Sequence, residues 1–327
     1  MATTFYSEIA ANKRQSLFLA VVVGLLLGAL GFAIGYALTG GAAGGLAATL
    51  IAIGIAALMS VGSYFAGDKL VLATSQAREV DATSAPQLLN VVQELAIAAN
   101  IPMPKVYVID DSAPNAFATG RDPQHASVAV TSGLLEKMDR EELQGVLGHE
   151  LSHVRNYDIR FTLLVGVLVG GVALLSDFFL RYTFWFGGGR RSSRDDNNSG
   201  GGGLQVVFFV IAIILAILAP IASQLVQLAV SRQREYLADA SSVQLTRNPH
   251  GLERALATIA SDKDVLEVAS RATQHLYFTN PIKKFESRAA GLMSTHPPIV
   301  DRINRLRELT GEQPLDPADT AALTGLD

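Results

Sequence analysis

The sequence predicts a mainly α-helical membrane protein. Four transmembrane helices are joined to a soluble α+β domain with a small β-sheet, and the second transmembrane hairpin splits that domain. Three observations carry the expectation. Charged residues make up only 17% of the 327 residues and mean hydropathy is +0.30, whereas ordinary globular chains carry roughly 25% charge. Four stretches, residues 16–38, 44–66, 161–176 and 204–230, contain no Asp, Glu, Lys or Arg. Between the second and third, and again after the fourth, the chain returns to the mixed polar and apolar periodicity of a soluble fold.

Three of the four stretches are long enough, as helices, to cross about 30 Å of hydrocarbon. The third is short alone but extends through Asp177 to Leu180. The first is too long for a signal-peptide core and lacks a small-residue cleavage pattern, so it reads as a retained anchor. Its Gly24, Gly28, Gly31 and Gly35 recur at three- and four-residue spacing, a stripe that permits close helix packing. Pro220 is expected to kink the fourth. Lys13, Arg14, Lys69, Arg78, Arg155, Arg160, Arg232 and Arg234 lie near the spans on one side, against Arg181, Arg190, Arg191 and Arg194 on the other. Eight against four places the soluble domain and both termini in the cytoplasm of a multi-pass protein. The glycine-rich loop 181–203 is expected to be irregular.

The expected organisation is therefore an N-terminal hairpin over 1–68, a first soluble half over 69–160, a second hairpin over 161–230 and a second soluble half over 231–327. In the first half, residues 85–99 have helical periodicity and stop at Asn100, a plausible C-terminal cap. Residues 105–109 read as a strand, with 116–119 and 127–131 as two more around a turn at 120–124. A helix is expected over 140–158. In the second half, 231–246, 251–260 and 297–309 look helical, and the tail 310–327 is polar and reads as loose.

The helix 140–158 carries His149-Glu150-Leu151-Ser152-His153. Histidines four apart share one helical face and can bind one Zn²⁺, while the glutamate beside the first can activate a water. Cysteine is absent, so disulfides and thiolate ligands are excluded and a metal must be held by His and carboxylates. A hydrolytic zinc site needs three protein ligands and one open position. The metzincin extension would need Gly at 156 and His at 159, where Asn156 and Ile159 stand. The third ligand is expected to be Glu235, just after the fourth apolar stretch. Asp239, four residues on, shares its face and can accept a hydrogen bond from a ligand histidine. A solvated acidic helix face is the competing reading of that pair. The net charge of −4, with no long basic run, argues against nucleic acid as a partner.

Taken in order, His149–His153, Arg234-Glu235-Tyr236-Leu237-Ala238-Asp239-Ala240 and Ser294-Thr295-His296-Pro297-Pro298 with Arg302 resemble the HtpX-type membrane zinc endopeptidases. These are gluzincins related to the CaaX prenyl proteases. The likeness runs over nearly the whole chain and implies a zincin-like catalytic domain with one Zn²⁺ per chain on His149, His153 and Glu235. It implies that Glu150 takes a proton from the attacking water and passes it to the leaving amine. His296 and Arg302 resemble positions that help hold the oxyanion; alternatively His296 caps a turn and Arg302 pairs with Asp301 or Glu308. Asn115-Ala116-Phe117-Ala118 resembles the family's substrate-pairing edge strand, with an ordinary internal strand as the other reading. Asn156 and Asp158 either support the ligands from behind or are only polar groups at a helix end. His125, His250 and His275 read as surface or packing residues. The glycine-rich loop is not part of the likeness.

The resemblance further implies a prokaryotic inner-membrane enzyme, embedded in the lipid bilayer, that cleaves misfolded or damaged membrane proteins in stress-related quality control. Oligomeric state is left open. A non-catalytic membrane scaffold with a structural zinc site is the alternative. It needs a fourth protein ligand, for which His296 is the obvious residue. A transporter fares worse, because the apolar stretches carry no ionisable group along a pathway.

Overall fold

A computed structural model of the chain describes residues 5–186, 202–262, 264, 278 and 297–324. It divides into two units, one of Met1–Asn12, Tyr64–Leu163 and Leu228–Asp327, the other of Lys13–Ser63 and Leu164–Gln227.

The second unit is built from helices. α1 (Phe5–Thr39) and α2 (Ala42–Thr74) form a hairpin. α6 (Asp158–Phe186) and α7 (Gly202–Thr246) carry the third and fourth apolar stretches. A Cβ on Gly35 would run into the Gly44 carbonyl, and one on Gly31 would lie 3.3 Å from the Ala48 carbonyl oxygen. These two glycines therefore set the close approach of α1 and α2. Gly28 has only ordinary contacts and Gly24 faces open space, so half of the glycine stripe packs tightly. Leu30, Ala33, Ile34 and Ala37 are buried in one cluster with Phe179, Ala212 and Ala216. The outer faces carry exposed Leu25, Leu50, Leu58, Leu174, Phe178 and Val206. An apolar exterior of this kind suits lipid and not water. Among the described residues, Val21–Thr39 and Ala42–Thr74 are long and apolar enough to cross a membrane, and Val206–Ala222 is a shorter apolar stretch.

Two expectations change here. The loop 181–203 is helical at both ends, since α6 reaches Phe186 and α7 begins at Gly202; its middle, 187–201, lies outside the described residues. The helix expected over 231–246 is the last third of α7, which continues through Pro220 without interruption.

In the first unit, α3 (Pro86–Ala99) ends on Asn100 in the left-handed conformation, as its cap residue predicts. β2 (Lys105–Ile109), β3 (Ala116–Gly120) and β4 (Ala126–Thr131) join the two-residue β1 (Arg78–Glu79) in a mixed sheet of order β1-β2-β4-β3. β2 and β4 are parallel, and the other two pairings are antiparallel. The expected turn holds a short 3-10 segment, Pro123–His125. Thr131 caps the short α4 (Ser132–Lys137) through its hydroxyl, which accepts from the Leu134 N–H.

α5 (Arg140–Arg155) starts from a capping box of Asp139 and Glu142. Leu143, Val146, Leu147, Leu151 and Val154 on α5 are buried with Val91, Val92 and Leu95 of α3 and with Val128 and Val130 of β4. Leu252, Leu256 and Ile259 of α8 (Pro249–Ser261) and Ile303 and Leu306 of α9 (Ile299–Thr310) close the same core. The helix expected over 140–158 ends three residues early. Tyr157 adopts φ +63, and α6 begins at Asp158. The tail is not loose throughout: Asp316 accepts from the Asp319 N–H and starts α10 (Pro317–Thr324).

Candidate metal centre

α5 presents His149 and His153 one turn apart, and α7 presents Glu235 opposite them. Two glycines of α5 let its neighbours approach, Gly148 for α7 and Gly145 for α8. A Cβ on Gly148 would sit 2.8 Å from Ser242 Oγ, and one on Gly145 would sit 2.6 Å from the Leu252 nitrogen. Ser242 Oγ donates to the Gly145 carbonyl at 2.7 Å. Glu235, Asp239 and Ser242 fall at i, i+4 and i+7 of α7, so docking Ser242 turns both carboxylates toward α5.

The two Nε2 atoms lie 3.1 Å apart, and Glu235 lies 3.4 Å from His149 Nε2 and 3.5 Å from His153 Nε2. Tetrahedral bonds of about 2.0–2.1 Å to zinc imply ligand separations of ~3.3 Å, so the residues fit the ion. His149 Nδ1 donates to Asp239 Oδ1 at 2.8 Å, and His153 Nδ1 donates to Asp158 Oδ2 at 3.1 Å. Both rings thus spend their proton on a carboxylate and turn a lone pair inward, and two lone pairs at 3.1 Å repel unless positive charge sits between them. His149 and Glu235, both buried, and the half-buried His153 form a donor group that could hold a metal.

The same carboxylates favour positive charge at this point, whether a proton on His153 or a metal ion in its place. Burial pushes the His153 imidazole down, but Asp158 and Glu235 outweigh it and hold the group well above its usual value of 6.5. Burial likewise raises Asp239, and Arg302 and His149 more than reverse this, leaving it below the usual carboxylate range. Arg302 is fully buried and grips Asp239 with both prongs, Nε to Oδ2 at 2.9 Å and Nη2 to Oδ1 at 2.7 Å. Its Nη1 donates to the Phe278 carbonyl at 3.3 Å and lies 3.9 Å from Glu235. Its partner is thus Asp239, not the neighbouring Asp301 or Glu308 offered by the alternative reading. Glu150 is buried beside His149 on α5.

The remaining expected residues are distributed as follows. His296 lies outside the described residues, as does His275. Asn156 is the C-cap of α5; its buried amide meets no hydrogen-bond partner among the described residues. The carboxylate behind His153 is Asp158, the first of the two readings open for it, and the break at Tyr157 is what turns it back toward the histidine. His125 and His250 are exposed and paired with Asp122 and with Glu253 and Glu312.

β3 is an edge strand, opposite β1, and packs on α5. Asn115 faces β4, since its carbonyl accepts from the Thr131 N–H and its N–H donates to Thr131 Oγ1. Alternation then points the backbone of Ala116, Ala118 and Gly120 outward. At Ala116 the outward bonds are taken by the Asn115 side chain and the Phe278 N–H.

The family model for peptidase family M48 matches residues 82–310. The chain belongs to peptidase family M48. M48 relatives described as "Protease HtpX homolog" are 45% identical over 304 residues in Streptococcus uberis and 46% identical over 304 residues in Streptococcus mutans. One from Listeria monocytogenes is 43% identical over 306 residues. Each alignment covers 93% of this chain and 99% of the relative. The crystal structure of S. mikatae Ste24p matches with TM-score 0.50 and 18% identity, covering 92% of this chain and 67% of that one. At that identity the likeness speaks to the fold, which is Ste24-like. The M48 protein is therefore a metalloprotease of a zinc-dependent family, with the apolar helices of a membrane protein.

Proposed function

We propose that this M48 metallopeptidase is a membrane-integrated endopeptidase with one Zn²⁺ on His149, His153 and Glu235, acting on misfolded or damaged membrane proteins. The observation that carries the reading is the inward convergence of three donors, His149 and Glu235 buried and His153 half-buried, whose two imidazoles are oriented from behind by carboxylates. Zinc bound there would supply Lewis-acid polarisation of the scissile carbonyl and acidify the attacking water. Glu150, one residue from His149, takes the proton from that water and returns it to the departing amine. Arg302 serves by holding Asp239, and so His149, because its forked head is committed to that carboxylate. An extended peptide pairs with the outward backbone of β3 at Ala118 and Gly120, Ala116 being already engaged. The apolar exterior of the helical unit supports four membrane crossings and substrates drawn from the bilayer. The excess of basic residues on one side supports a cytoplasmic catalytic domain, divided between 69–160 and 231–327.

Glu150→Gln tests the mechanism. Hydrolysis of an unfolded membrane substrate should fall by at least about a hundredfold while zinc content stays at one per chain, since proton transfer contributes roughly 10²–10⁴. Undiminished cleavage in that variant, or cleavage that survives chelation, sinks the reading. Sidedness is checked by labelling single cysteines introduced at Glu312 and at Arg181 in intact cells. Only the cysteine at 181 should react with an impermeant reagent, and the opposite pattern reverses the orientation.

A further inference from the structure

We propose that Asp158 and Arg234 form a positioning pair for the metal centre, with Arg234 holding the carboxylate that orients His153. The inference rests on the metal-centre reading above. Asp158 divides its two oxygens: Oδ2 accepts from His153 Nδ1 at 3.1 Å, and Oδ1 lies 3.2 Å from Arg234 Nη1. Arg234 is stacked on the Phe161 ring, its guanidinium carbon 3.5 Å from the centroid. Both charged side chains are buried, so neither is a surface ion pair of negligible worth.

The arrangement parallels what Asp239 and Arg302 do for His149, with a single ion-pair contact in place of the forked pair of hydrogen bonds. Each ligand imidazole has a carboxylate behind it, and each carboxylate is held by a buried guanidinium. The two relays differ in where the arginine sits. Arg302 belongs to α9, which supplies none of the three donors, whereas Arg234 directly precedes the donor Glu235 on α7. Asp158 in turn opens α6, three residues beyond the end of α5. The helix that supplies the carboxylate donor therefore also fixes the second histidine. A shift of α7 relative to α5 displaces two of the three donors together. A carboxylate behind a ligand imidazole also raises the basicity of the inward nitrogen, and Arg234 keeps that carboxylate from rotating away.

The test uses the full-length protein in detergent, with zinc affinity measured by chelator competition and the visible absorption of Co²⁺ as a reporter of ligand geometry. Asp158→Asn keeps shape and can still accept from His153 but loses the charge and the grip of Arg234. It should weaken zinc binding roughly tenfold to a hundredfold and alter the cobalt bands. Arg234→Met should do the same, Arg234→Lys should recover part of the loss, and the double variant should be little worse than either single one. Circular dichroism confirms that each variant is folded, and the isosteric Asp158→Asn remains informative if Arg234→Met is not. Unchanged zinc affinity and an unchanged cobalt spectrum in Asp158→Asn, or simply additive losses in the double variant, overturn the pair while leaving the centre intact. Failure of the unmodified protein to bind either metal overturns both.

Discussion

At the residue scale, the interaction that most strongly conditions the site is Arg302 with Asp239. A bidentate pair with both partners buried is held by geometry, and removing one partner strands the other's charge in a dry environment. Arg302→Met should therefore lower the stability of the metal-free protein by about 3–5 kcal/mol, read from chemical denaturation. A loss well under 1 kcal/mol would show that Asp239 reaches solvent. Which residues the sequence could reveal follows from distance along the chain. His149, Glu150 and His153 are legible because one helical turn brings them together, and Glu235 and Asp239 are legible for the same reason. Asp158 was legible only as one of two alternatives, because its approach to His153 depends on the left-handed Tyr157 between two helices. The partner of Arg302 was not, because a contact across 63 residues leaves no periodic trace.

At the element scale, α5 is the fixed part of the site. Its N-terminus is held by Asp139, which accepts from the Glu142 N–H at 2.8 Å, while Glu142 accepts from the Asp139 N–H at 2.9 Å. That backbone bond, with the charge of Arg254, holds the Asp139 carboxyl below its usual 3.8. A depressed carboxylate stabilises the fold fully above its unfolded value and loses that contribution as pH falls through its lower folded value. Asp139→Ala should therefore cost about 1 kcal/mol at neutral pH, and its melting temperature should converge with that of the unmodified protein only below pH 3.8. A constant difference down to that pH and beyond would show that charge is not what Asp139 contributes. Three of the four strands of the soluble unit were legible within a residue or two because alternation and turn residues are local; the two-residue β1 was not, being too short to alternate. The extent of α7 was not, because a change from apolar to charged composition resembles a boundary, although nothing in residues 229–233 breaks a helix.

At the scale of the whole molecule, the class was legible from hydropathy and charge alone, and membership of M48 from the order of three short motifs. The core that joins α3, α5, α8 and α9 around the sheet uses residues from both sides of the 161–230 excursion. A metal held by α5 and α7 adds a further bond between those two parts. Saturation at a thousandfold above the dissociation constant stabilises a site by about 4 kcal/mol. Chelation should therefore lower the melting temperature of the unmodified protein by several degrees and leave that of His149→Ala unchanged. Equal shifts in both would mean that the chelator acts elsewhere.

The division of the donors between α5 and α7 has a consequence for biosynthesis. A ribosome delivers His149, Glu150 and His153 long before Glu235, and Arg302 emerges later still. A half-made chain thus holds the histidine pair without the carboxylate that completes it or the guanidinium that steadies it. With the metal centre as proposed, proteolytic competence waits until α7 and α9 have been translated, which would keep the nascent polypeptide from attacking its surroundings, or itself, on the way to its final form.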